Sequence, residues 1–247
     1  MRRQNHRMLP QRCLEGGSSH MTREELKKYL SWDTDTWGIG LKYVIGELKS
    51  SLPPSSKALE LGSNEGGISV CLVKVLGYNT VCSDLESPAD KVLHVHPEIT
   101  NNPLITFDEV NGLKIKYDEA SFDIIIFKSV LCAIKSKGQQ QHFINEIYRV
   151  LKPGGRFCFL ENCKASWMHN FARKKFVSWE KSCRYIAFKE MEGFLSAFQS
   201  YKIHSDGFLT AFVRCNKIKY IPYSLDRIIV FFIPKLYRYM MYGIAIK

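Results

Sequence analysis

At 247 residues the chain can hold one large domain or two small ones, and an apolar share of 45% allows a real core. The formal net charge of +11 is uneven: residues 163–247 hold 15 basic and 5 acidic side chains, whereas residues 21–162 hold 16 and 18. Eight scattered cysteines include no CxxC pair and no cluster with histidine at zinc spacing, which excludes a disulfide scaffold and a zinc module.

Residues 1–20 lack periodicity and run into GGSSHM, so they read as a disordered leader or as vector- or start-site-derived sequence. Arg2-Arg3 has no apolar region behind it. No secretory or twin-arginine signal is read, and a cytoplasmic protein is expected. Thr22-Arg23-Glu24-Glu25 has the form of a capping box and predicts a helix through about Leu30. SWDTDTWGIG reads as a turn-rich connector. LKYVIGELKSSL reads as a second helix stopped by Pro53-Pro54.

From Lys57 onward, strand and helix signals alternate. Apolar strand candidates are Ala58–Leu61, Thr80–Ser83, Ile105–Phe107, Phe122–Phe127 and Arg156–Glu161. Helical patterns fill the gaps, most clearly Ile68–Leu76 and Gln139–Leu151, the latter running up to Pro153-Gly154-Gly155. Such alternation predicts βαβ units and an α/β fold around a parallel sheet. The run FDIIIF suits a strand covered on both faces. Near the C-terminus the apolar run Ile228–Ile233 is far short of the roughly 20 residues of a membrane span. No repeat or linker divides the chain, so one domain over residues 21–247 is expected.

The first strand runs into KALELGSNEGG. In an open α/β sheet the ligand lies beyond the carboxyl ends of the strands, and this loop passes close to it. Gly62 permits a tight turn at positive φ, while Gly66 and Gly67 let the next helix begin close to the sheet. A dinucleotide fingerprint needs Gly-x-Gly-x-x-Gly, but Asn64 stands at its middle glycine. That break counts against a pyrophosphate cofactor. Asparagine tolerates a left-handed backbone, so a ligand without a pyrophosphate remains compatible. Asp84 ends the second strand, where a carboxylate can accept both hydroxyls of a ribose.

ALELGSNEGG, VCSDLE, SFDIIIFKSVL and EIYRVLKPGGRFCFLEN, in that order and spacing, resemble class I S-adenosylmethionine-dependent methyltransferases of the methyltransferase type 11 kind. The resemblance covers about Lys57 to Asn162. It implies a Rossmann-like seven-stranded, mostly parallel sheet with helices on both faces, its last strand antiparallel and inserted beside the fifth. YGIAIK would be that strand. The implied division is a helical lid over 21–56, a cofactor-binding core over 57–162, a substrate-side helical region over 163–241 and the last strand over 242–247. S-Adenosyl-L-methionine would be the cofactor and S-adenosyl-L-homocysteine the product. Glu60 would contact the methionyl amino group through the loop, Gly62, Ser63 and Gly66 would form the cradle, and Asp84 with Leu85 would take the ribose side. Asn111, beside Gly112, stands where such enzymes usually carry an adenine-facing Asp; Asp108 is the alternative. Lys128 and Ser129 would border the methionine end and the acceptor.

Methyl transfer from a sulfonium is an in-line displacement in which positioning does much of the work, and a hydroxyl acceptor also needs a base. The base candidates are His169, whose ordinary pKa suits proton abstraction, and Glu161 at the end of the fifth strand. Arg173, one turn from His169, would hold an anionic acceptor. No Asn/Asp-Pro-Pro-Tyr follows the fourth strand, which disfavours methylation of nucleic-acid exocyclic amines. Cys132 lacks the Pro-Cys context of a C5-pyrimidine nucleophile. Lys128 replaces the carboxylate of metal-dependent O-methyltransferases, so no metal is expected.

The acceptor expected is a small molecule or a saccharide, anionic and with the transfer at oxygen; a lipid-linked glycan would suit the long tail. The aromatic and basic residues of 163–241 leave three alternatives: RNA as partner, peripheral contact with a membrane surface, or a non-catalytic cofactor-binding module.

Overall fold

Strand β1 (Lys57–Leu61) is the centre from which the sheet grows in both directions, and each flanking element follows from where its apolar residues fall. A computed structural model describes residues 21–31, 33–176, 182–213 and 223–247. The element order is α1 (Arg23–Leu30), α2 (Thr34–Ser51), β1, α3 (Gly67–Cys71), β2 (Asn79–Asp84), α4 (Ala89–Val95), β3 (Ile105–Glu109) and β4 (Phe122–Lys128). Then come α5 (Lys137–Val150), β5 (Leu151–Asn162), α6 (Trp167–Phe176), α7 (Phe188–Phe194), β6 (Ser200–Asp206), α8 (Thr210–Val213), α9 (Tyr223–Phe232) and β7 (Met240–Ile246).

The seven strands lie in the order β3-β2-β1-β4-β5-β7-β6. The first five are parallel, and β7 is inserted antiparallel between β5 and β6. The Rossmann-like sheet and its C-terminal antiparallel strand are as expected. Because β6 is antiparallel to β7, it runs in the same direction as β5, and the turn after β6 falls on the same edge as the loops after β1, β4 and β5.

Strand β4 explains the two-layered core. Ile124 and Ile126 pack with Trp37, Leu41 and Leu48 of α2, while Ile125 and Phe127 pack with Phe143 and Ile147 of α5. All are buried, and each such side chain contributes about 1.5–3 kcal/mol by leaving water. The apolar run read from the sequence is therefore a strand with a helix against each face.

Several boundaries differ. The connector over SWDTDTWGIG is the first two turns of α2, begun by Asp33, whose carboxylate caps Thr36 N at 3.5 Å. Its glycines are packing sites rather than turn residues. A Cβ on Gly38 would lie 2.9 Å from Leu26 Cδ1, and one on Gly40 about 3.0 Å from the Tyr242 ring. Strand β5 begins at Leu151, earlier than expected, because Pro153-Gly154-Gly155 forms an irregularity inside it with Gly154 at φ 75°. Strand β6 was not anticipated from the sequence. The helix after the glycine-rich loop widens into a π-helical turn over Leu72–Leu76.

Candidate active site

The chain leaves β1 through Gly62 at φ 67°, passes Asn64 at φ 52°, and enters α3 at Gly66 with φ 70°. Asn64 thus takes the left-handed conformation that its side chain tolerates. The loop borders a cavity of about 210 Å³ whose lining includes Tyr29, Glu60, Gly62, Ser63, Lys128 and Ser129.

Glu60 is fully buried at the cavity wall. Its Oε2 accepts Ser69 N at 2.8 Å and Ser69 Oγ at 2.5 Å, so the carboxylate ties β1 to α3. Burial pushes its pKa up to about 7, against the lowering influence of Ser69 and Lys128. Ser63 Oγ is buried without a hydrogen-bond partner, which is costly unless a ligand supplies one. Asp84 stands beside the same loop: its Oδ2 accepts Asn64 N and its Oδ1 accepts Leu85 N, both at 2.8 Å. Each oxygen keeps a lone pair for a ribose hydroxyl. Leu85 is 71% exposed and offers an apolar surface next to it.

The loop glycines are demanded by the protein's own elements. A Cβ on Gly62 would lie 2.5 Å from Val130 Cγ2, on Gly66 2.6 Å from Val92 Cγ2, and on Gly67 2.2 Å from the Tyr29 carbonyl oxygen. Helix α1 therefore rests its last turn on the first residue of α3. Lys128 Nζ donates to Leu30 O at 2.8 Å and Ser31 Oγ to Glu65 Oε2 at 2.6 Å, holding the end of α1 against the cavity.

Other residues expected at the site lie elsewhere or are engaged. Gly112 answers to packing, since a Cβ there would meet Phe143 Cε2 at 2.1 Å. Exposed Asn111 folds its Oδ1 back onto Leu113 N at 2.9 Å. Asp108, the alternative, is bound by Lys116 and Tyr117. Val110 N donates to Asp84 O at 2.8 Å, so the Asn111 turn follows close on Asp84.

His169 is buried and does not line this cavity. Its Nε2–H donates to Phe208 O at 2.9 Å, which leaves Nδ1 to accept from Ser166 Oγ at 2.7 Å. Both nitrogens are thus engaged in a neutral ring, and burial lowers its pKa. Glu161 is also fully buried. Its Oε2 accepts Leu131 N and its Oε1 accepts Asn162 N, both at 2.7 Å, and burial pushes its pKa up to about 7. It caps the turn after β4, the element that carries Lys128 and Ser129. Arg173 donates to Cys163 O at 2.7 Å and stacks on Tyr185, with its guanidinium 3.9 Å from the ring centroid.

Residues the sequence reading missed are Tyr29, Ser31 and Val130. Their signal lies in chain order alone, because they reach the loop from α1 and from the turn after β4.

Residues 59–159 match the family model described as a methyltransferase domain. Over those residues the chain carries a methyltransferase domain. No curated protein matches the chain. Among solved structures, the phosphoethanolamine N-methyltransferase 2 of Haemonchus contortus, in complex with phosphomonomethylethanolamine and S-adenosylhomocysteine, superposes with a TM-score of 0.60 at 16% identity. That match covers 85% of this chain and 52% of the nematode protein, so the chain spans about half the length of that neighbour. A methyltransferase of Methanosarcina mazei gives a TM-score of 0.56 at 15% identity over 81% of this chain and 96% of that one. The [4+2]-cyclase SpnF gives 0.58 at 15% over 83% and 78%. The methyltransferase domain thus shares its fold with a cyclase as well as with methyltransferases, and the fold alone names no acceptor.

The site fits S-adenosylmethionine. The unpartnered Ser63 hydroxyl and the Asp84 carboxylate lie along one loop, and buried Glu60 faces the same cavity. The cofactor would supply an activated methyl group on its sulfonium. Glu60 and Ser63 would hold its amino-acid end and Asp84 its ribose, while α1 excludes water.

Proposed function

We propose that the protein transfers the methyl group of S-adenosylmethionine to a small polar acceptor, with a hydroxyl of a saccharide-like molecule as the first reading. The observation that carries the transfer is the buried, unpartnered Ser63 hydroxyl in a cavity shared with Glu60 and Lys128. A polar group there calls for a polar ligand. Lys128 and Ser129 border the side from which the acceptor would approach, and the lid formed by α1 holds the reacting atoms apart from solvent.

A second reading is an amine acceptor. It is favoured by the engagement of both His169 nitrogens and both Glu161 oxygens, because an amine bound in its neutral form needs no protein base, whereas an alcohol does. Neighbours acting on small phosphorylated amines fit that reading. Incubation with methyl-labelled cofactor and panels of sugars, phosphorylated amines and short RNAs separates these cases. Label in an O-methyl sugar supports the first reading and label in an N-methyl product the second. Label in RNA, or cofactor binding without any turnover, would overturn both.

A further inference from the structure

Helix α9 is built inside out for a solvent-facing helix. Its inner side presents Asp226 and Val230, both buried, while Leu225, Ile228, Phe231 and Phe232 face outward. Phe231 and Phe232 are 77% and 76% exposed, and their rings pair edge to face at 5.3 Å. An apolar outer face on a surface helix marks contact with something other than water.

The helix is firmly held from within. Asp226 accepts Leu209 N at 2.6 Å and Thr210 Oγ1 at 2.7 Å, capping α8. Arg238 donates to Val230 O at 2.8 Å, Ile233 O at 3.1 Å and Ser205 O at 2.9 Å, tying the end of α9 to β6. Helices α6 and α9 both hold Phe208, since His169 donates to its carbonyl while Asp226 takes its amide. The outer side of α6 shows Trp167, 77% exposed, with Met168 and Phe171.

Among the described residues of the two helices and the turn after α9, the exposed charges are of one sign. Lys174, Lys175, Arg227 and Lys235 are exposed among them, and the only acidic residue of the two helices, Asp226, is turned inward. We propose that α6 and α9 form a docking face for an anionic membrane surface. Protruding aromatic and aliphatic side chains enter the headgroup region while lysine and arginine meet lipid phosphates. A second copy of this chain would set like charges against each other. Single-stranded RNA would use the aromatic rings but leave Leu225, Ile228 and Met168 without partners. The face lies at the edge of the sheet where β5 and β6 end, the edge that also holds the cofactor cavity.

Cosedimentation of the full chain with vesicles tests this, using phosphatidylcholine alone and phosphatidylcholine mixed with phosphatidylglycerol. Binding to the mixed vesicles is expected to exceed binding to neutral ones by about tenfold or more, and to weaken with salt. The double variant Phe231→Ser/Phe232→Ser is expected to lose most of it, and Lys174→Gln/Lys175→Gln part of it. Unchanged circular dichroism and unchanged melting serve as the fold control. The proposal is overturned if the mixed vesicles do not bind, or if a folded phenylalanine variant binds like wild type. It is also overturned if the same variant instead abolishes self-association seen by analytical ultracentrifugation, or if a short RNA competes the protein off the vesicles.

Discussion

Replacing Gly67 with alanine sets two calculable effects against each other. Gly67 opens α3, and alanine there gains up to about 1 kcal/mol of helix propensity. Against this, the new Cβ would lie 2.2 Å from Tyr29 O, 2.7 Å from Tyr29 C and 2.9 Å from Tyr29 Cα. All three are backbone atoms, so no side-chain rotation relieves the overlap. Helix α1 must lift. Overpacking of this kind costs about 1–3 kcal/mol. The Lys128–Leu30 and Ser31–Glu65 hydrogen bonds, at 2.8 and 2.6 Å, loosen with it at about 1 kcal/mol each. The expected net is a destabilisation of about 2–4 kcal/mol, lowering Tm by about 4–16 °C for a chain of this size. S-Adenosylhomocysteine affinity should fall about tenfold as the lid opens. Thermal melts and calorimetric titration read both. A variant with raised or unchanged Tm and an affinity within about twofold of wild type would refute the placement of α1 on the loop.

Further outcomes follow from the same contacts. If Glu60 must be ionised to hold the cofactor's ammonium, its pKa of about 7 makes affinity weaken below pH 7, by up to about tenfold per unit; a flat profile from pH 6 to 8 would remove Glu60 from the site. Glu161 is raised from 4.5 to about 7, so the folded state binds more protons than the unfolded one in that window. Its contribution is complete below pH 4.5 and is lost as pH rises through 7. Glu161→Gln should therefore flatten the fall of Tm between pH 4.5 and 7, and an unaltered slope would show the carboxyl to be ordinary. His169→Phe keeps the ring among Phe208, Phe212 and Tyr239 but leaves Phe208 O and Ser166 unpartnered, at about 1–3 kcal/mol each. It should lower Tm with kcat retained in the folded fraction; lost turnover at unchanged Tm would make His169 the base.

The strands legible in the sequence are those whose side chains are buried on both faces. FDIIIF announced β4 because neighbouring residues pack against α2 and α5 in turn. Strand β6, SYKIHSD, escaped because it lies at the sheet's edge and shows only one buried residue. Asn64 and Asp84 were readable as local chemistry at the end of a strand. Gly67 was not fully readable, because its steric constraint comes from Tyr29, far back in the chain. The engagement of His169 was not readable for the same reason: the Phe208 carbonyl that it meets lies 39 residues downstream. Local pattern reports a residue's own conformational needs, while an engaged partner far along the chain leaves no periodic trace.

The most direct test of the central claim is calorimetric titration of the folded protein with S-adenosylhomocysteine, beside Asp84→Ala. Single-site binding, weakened about tenfold or more when the ribose acid is removed, is the predicted result. A folded wild-type protein that takes up no S-adenosylhomocysteine would contradict the account.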